Sequence, residues 1–130
     1  MSTENFEVKI IKLKTGEDLI GFYHQTLTGN TILKYPKIFY YWLNVDTEQE
    51  EIMMNDWLMP EAYATQEVNI PSDHVLLVSY PIVSFGYKYL DSVLEYLDPD
   101  SKLAQQIKQT IIESIDPEEG SSIQIGRAHV

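Results

Sequence analysis

The sequence contains no cysteine, which excludes disulfides, thiolate metal sites and thiol redox chemistry and suits a reducing cytoplasm. Basic residues are scarce, nine against 20 acidic ones, and a formal charge of −11 argues against loose, charge-driven binding to nucleic acid. Histidine is rarer still: His24, His74 and His129 stand alone, none at a metal-ligand spacing. Long apolar runs are missing, so no segment approaches the roughly 20 residues needed to span a bilayer, and the N-terminus lacks a basic stretch leading into an apolar run. The expectation is a chain with no membrane partner. No phosphate loop, dinucleotide fingerprint or nucleophile elbow occurs. The acidic pairs Glu17-Asp18, Glu50-Glu51 and Asp98/Asp100 read as solvated surface, because adjacent acids arise readily in so acidic a chain. No catalytic residue and no cofactor is assigned, and a non-enzymatic protein is expected.

What remains is enough for a fold. With 130 residues, 44% hydrophobic and 12% aromatic, the chain can bury the core of one domain. Charge is uneven: Met1 to Leu43 holds five Lys and four acids, whereas Asn44 to Val130 holds four basic residues and 16 acids. A polyanion-facing surface must therefore come from the first part.

Phe6 to Lys14 is rich in β-branched residues, Thr15-Gly16 breaks it, and Asp18 to His24 resumes a strand pattern, predicting a hairpin. Leu27 to Asn30 (LTGN) is the next turn signal. A third strand follows as TILKYP and KIFYYWL, interrupted at Pro36, where a bulge or edge is expected. The acidic stretch NVDTEQEE, around 44–51, reads as a solvated loop and IMMNDWLMP as a fourth strand whose Met and Trp fill core gaps. Val68-Asn69-Ile70, a turn at Pro71 to His74 and Val75 to Val78 predict a short, tight strand pair, and five strands at this spacing suggest a small barrel.

After Tyr80-Pro81 the period changes. Tyr87, Leu90, Leu94 and Leu97 recur at helical spacing, Asp98-Pro99 is a stop-and-restart signal with Asp98 as N-cap, and Leu103, Ile107, Ile111 and Ile115 form a second stripe. The expected organisation is a β-domain over 1–82, a helical extension over 83–116 and a tail over 117–130. Residues Ile125 to Val130 can be encoded by a widely used sequencing adapter read in frame; they are expected to be an artefact of a truncated natural chain, and are excluded from fold reasoning.

The stretch VKIIKLKTGEDLIGFYHQTLTGNTILKYP resembles the first motif of the Sm-like proteins, the LSm and Hfq type: strand, tight turn, Gly-containing strand, short loop ending near Asn, strand. Gly16, Gly21 and Asn30 fall at or near the family's marked places; Gly16 serves the turn and Gly21 permits the bend a small barrel needs. VNIPSDHVLLV looks like the second motif, two short strands around a tight turn. The resemblance covers roughly the first 80 residues, is interrupted by the insert from Asn44 to Glu67, and is strongest to phage and marine metagenomic members. The sequence also departs from the family: Leu27 occupies the place of its loop Asp, Thr28 that of its stacking side chain, and Pro71-Ser72-Asp73-His74 replaces its Arg-Gly or Lys-His pair.

The resemblance implies a mainly β fold with α, a five-stranded, strongly bent antiparallel barrel followed by two C-terminal helices. It implies a homo-oligomeric ring of five to seven subunits in the cytoplasm, that of an infected bacterial host if the chain is phage-encoded. The implied function is binding single-stranded RNA weakly, or scaffolding an RNA-associated assembly, with Asn30, Thr28, Ser72 and His74 as contacts. Lys12 and Lys14 would touch phosphates, joined by Lys9, Lys34 and Lys37 if all gather on one ring face. The competing expectation is a protein-only assembly or structural ring factor in which Trp42, Trp57 and the Tyr-rich strand make the contacts.

Overall fold

The computed structural model describes residues 7–114, with side chains described as far as Thr110. Ile115, the tail and the run from Ile125 to Val130 lie outside the described residues, as does the side chain of Ile111. The chain divides into two units, Met1–Ser79 and Tyr80–Val130.

The first unit is an antiparallel sheet of β1 (Glu7–Leu13), β2 (Asp18–Gln25), β3 (Thr31–Asn44), β4 (Gln49–Asp56), β5 (Glu67–Ile70) and β6 (Val75–Ser79). The order is β4-β3-β2-β1-β6, with β5 also on β3. A mainly β fold with helices is therefore present, but six strands replace the expected five and no ladder among the described residues closes the sheet. The sixth arises because β4 and β5 share one edge of β3: Lys37–Asn44 pairs with β4 and Thr31–Lys34 with β5, while residues 57–66 loop out between them.

Alternation along β1 and β2 carries Ile11, Leu13 and Leu19 inward, where they join Leu33 and Ile70 in the core, with Tyr23, Ile38, Trp57, Val68 and Val75 packed around them. The β1–β2 turn closes through the Gly16 N–H donating to the Leu13 carbonyl, and Gly16 takes φ +109°, which an L side chain rarely adopts.

The expected interruption at Pro36 is a bulge inside one continuous strand. Ile20 pairs with Lys37 and Phe22 with Lys34, so Gly21 alone stands opposite Tyr35 and Pro36. Tyr35 takes φ +52°, its ring meets Phe22 edge-on at 6.3 Å, and its N–H donates to the Gln66 carbonyl at 2.7 Å. Gly21 itself does not adopt positive φ; a Cβ there would lie 2.8 Å from Leu33 Cγ, so glycine provides close approach across the bulge.

Two further expectations are corrected. The acidic stretch is loop only over 45–48, since the Asn44 side chain accepts the N–H groups of Asp46 and Thr47 and β4 begins at Gln49. Val68–Ile70 and Val75–Val78 do not pair with each other. The 3₁₀ turn Ser72–His74 redirects the chain between them, so β5 joins β3 and β6 joins β1.

The second unit holds α1 (Val83–Leu94) and α2 (Lys102–Ser114), which pack on each other. In α1 the buried face is Phe85, Gly86, Tyr89, Leu90 and Val93; of the expected Tyr87, Leu90, Leu94 and Leu97, Leu90 is buried, Tyr87 and Leu94 are half-buried, and Leu97 is half-buried beyond the end of the helix. In α2, Ala104 and Ile107 are buried. The N-cap of α2 is Ser101, whose hydroxyl accepts the Ala104 N–H at 3.2 Å. Asp98 instead accepts the Asp100 N–H at 3.0 Å, an Asx turn that spends its carboxylate before the helix begins. Among the described residues no helix is long and apolar enough to cross a membrane.

Candidate functional site

Two loops far apart in sequence meet in the first unit. The β2–β3 loop is held by the Thr26 N–H donating to the Asn30 carbonyl at 2.9 Å and by the Thr26 hydroxyl accepting the Asn30 N–H at 3.1 Å. Gly29 supplies the turn with φ +94°, leaving Leu27 fully exposed at the tip. The second loop is the 3₁₀ turn, where the His74 N–H donates to the Pro71 carbonyl at 3.0 Å. They are joined by the Asn30 Oδ1, which accepts the Ser72 backbone N–H at 3.1 Å, alongside the ladder pair Thr31–Ile70.

The other side of the 3₁₀ turn borders a cavity of about 270 Å³. Leu13, Val68 and Ile70 provide apolar walls continuous with the core, Trp57 lines it as well, and Lys14, Thr15, Asn69 and His74 contribute polar groups. The Lys14 N–H donates to the His74 carbonyl at 2.9 Å, which ties the end of β1 to the turn. The His74 side chain is exposed, with Nε2 4.0 Å from the Asp73 carboxylate. Thr15 donates its hydroxyl to Glu17, and this bond, then the backbone N–H of Glu17 itself, holds the Glu17 carboxyl below the ordinary range.

The expected contact residues thus fall into two groups. Asn30 and Ser72 are bonded to each other, and Thr28 stands in the same loop as Asn30 with its hydroxyl 3.0 Å from that of Thr26. His74 and Lys14 line the cavity, which Asn30, Thr28 and Ser72 do not.

Lys9, Lys12, Lys14 and Lys37 do not gather. Lys12 pairs with Asp18 at 3.0 Å, and Lys37 is buried against Asp56 at 2.8 Å. Lys9 lies 3.4 Å from Glu7 and over the Tyr23 ring at 4.5 Å. Strand alternation sends Lys9 and Lys12 to opposite faces of β1, and only Lys14, just past its end, reaches the cavity.

Trp57, read from sequence as core filler within the fourth strand or as partner contact, is also a cavity wall and lies just past the end of β4 at Asp56; its sequence signal was only that of a large aromatic. Asn69 and Thr15 carried no such signal. Nor did Gln66, whose side chain donates to the Leu58 carbonyl at 2.9 Å and whose carbonyl holds the Tyr35 bulge.

Compared with known proteins, the chain matches no protein-family model and no curated sequence.

Proposed function

We propose that this chain is a non-enzymatic Sm-like module that self-associates and binds single-stranded RNA through its β2–β3 loop and 3₁₀ turn. The observation that carries the reading is the Asn30–Ser72 hydrogen bond, because it unites the two segments that the motif resemblance marks for base contact. The strand order, with β6 returning to β1 through a 3₁₀ turn after β5, supports the same reading, as does a bend in β3 made by a bulge. Asn30 retains its amide N–H groups as donors toward a base edge once its oxygen has accepted Ser72. His74 and Trp57 offer flat faces and Lys14 a cation beside a largely apolar cavity, a combination suited to holding a base next to its phosphate.

With a chain charge of −11, phosphate attraction contributes little, so binding rests on base contacts and falls only modestly with added salt. The test is fluorescence anisotropy of a 5′-fluorescein oligouridylate titrated with the full chain, together with native mass spectrometry. Saturable binding, weakened by His74→Ala and Trp57→Leu, is the expected result. An assembly that gains no RNA mass overturns the RNA reading.

A specific observation favours the second reading, assembly without RNA. Among the described residues β6 is paired on one edge only, and Leu76, Leu77 and Val78 on it are 56%, 46% and 38% exposed. An open, apolar edge strand is a template for another chain. Rings that form and stay bare in the same spectra support this alternative.

A further inference from the structure

Beyond Phe39, the last β3 residue paired with β2, β3 and β4 continue as a two-stranded ribbon in which residues opposite one another share a face. Tyr40 stands across from Met53 and Trp42 from Glu51 on one face; Tyr41 stands across from Ile52 and Leu43 from Glu50 on the other. Both faces are open: Tyr41 is 74% and Trp42 52% exposed, and Leu43 and Val45 are exposed beyond them. Asn44 fixes the tip, its side chain accepting two turn N–H groups and its carbonyl accepting the Glu48 N–H at 2.7 Å. The aromatic rows are therefore held on an ordered scaffold.

The charge around them has one sign. Asp46, Glu48, Glu50 and Glu51 are all exposed on the ribbon, and no Lys or Arg occurs anywhere from Ile38 to Tyr87. Exposed rings beside carboxylates match a guanidinium or ammonium group, which packs on a ring face while bonding an acid. They repel phosphate.

We propose that the β3–β4 ribbon docks an arginine- and lysine-bearing segment of a partner protein that straddles the ribbon, one cation lying against Trp42 and paired with Glu51 on one face and another lying against Tyr41 and paired with Glu50 on the other. A second copy of this chain is a poorer occupant: two chains of charge −11 repel, β6 with its apolar edge carries no cation, and Lys12 and Lys37 are paired internally. The proposal does not rest on the RNA reading, and oligouridylate binding has no bearing on it.

The experiment titrates the full chain into a fluorescein-labelled peptide of Arg-Leu-Arg-Gly repeats, with Glu-Leu-Glu-Gly repeats as control. Three variants are compared: Trp42→Ala with Glu51→Gln; Glu50→Gln with Glu51→Gln; and a remote set, Glu61→Gln with Asp91→Asn, which removes two charges, as many as the second variant, at other exposed positions. The proposal expects the basic peptide alone to bind, the two ribbon variants to weaken it about tenfold or more, and the remote set to leave it nearly unchanged. Equal weakening by the remote set reduces the effect to net charge and overturns the proposal, as does absence of binding. Sedimentation velocity adds a separate outcome: an assembly that dissociates in the Trp42→Ala variant makes the ribbon a contact between copies, which also overturns it. All substituted side chains are exposed, so unchanged thermal transitions by circular dichroism confirm that folding is retained.

Discussion

The side-chain oxygen of Asn30 accepts the backbone N–H of Ser72 at 3.1 Å across 42 residues of sequence. Replacing Asn30 with Asp keeps the acceptor and removes the amide donors, whereas Asn30→Ala removes both. Asn30→Asp should retain stability in urea denaturation yet weaken oligouridylate binding; Asn30→Ala should lose about 1 kcal/mol of stability as well. Equal affinity in Asn30→Asp and the parent chain would confine Asn30 to a structural role.

Gly21 faces the β3 bulge with Leu33 Cγ 2.8 Å and the Lys34 carbonyl oxygen 3.0 Å from where a Cβ would sit. Because one neighbour is backbone, relaxation is restricted. Gly21→Ala should destabilise the chain by about 1–3 kcal/mol, read as a lower urea midpoint at unchanged m-value.

Lys37 is buried, and its ammonium lies 2.8 Å from Asp56, directly across the β3–β4 ladder. Asp56→Ala removes a charge-assisted bond next to the Tyr35 bulge and should cost about 2 kcal/mol. Asp56→Asn, which keeps an acceptor, should cost less; an equal cost for both would remove the ion pair from the explanation.

Ser101→Ala deletes the α2 cap and should cost about 1 kcal/mol of stability, while Ser101→Asp should restore it. The helical signal in far-ultraviolet circular dichroism during thermal unfolding reports both. Asp98→Ala, acting only on the turn before the helix, should have the smaller effect.

The depressed Glu17 carboxyl sets a pH dependence with a definite sign. Its ionised form is favoured in the folded state, so its contribution is present above the unfolded pKa and is lost as pH falls through the lower folded value. Thr15→Val should move the Glu17 titration back toward the ordinary range, seen by carboxyl carbon NMR, and flatten the acid side of the stability profile.

Local chemistry made much of this molecule legible in its sequence. The Thr15-Gly16 turn, the strands on either side, the disturbance at Pro36 and the two helices all follow from residue preferences acting over a few positions. Asn30, Ser72 and His74 were singled out through motif resemblance, and the fold does bring Asn30 to Ser72. Asp98 was misread as a cap because a sequence signal does not say which neighbouring N–H a carboxylate will accept.

Tertiary structure alone decided the rest. Lys9, Lys12, Lys14 and Lys37 ended in different environments, because alternation and the nearest carboxylate determine where an ammonium points. The division of the β3 edge between β4 and β5, the role of Gln66 in holding the bulge, and the meeting of Trp57 with His74 around one cavity depend on long-range pairing. Sequence by itself determined which segments form strands, turns and helices, since those choices are local; which strands became neighbours, and which side chains therefore share a surface, emerged only when the chain satisfied its backbone hydrogen bonds and buried its apolar faces together.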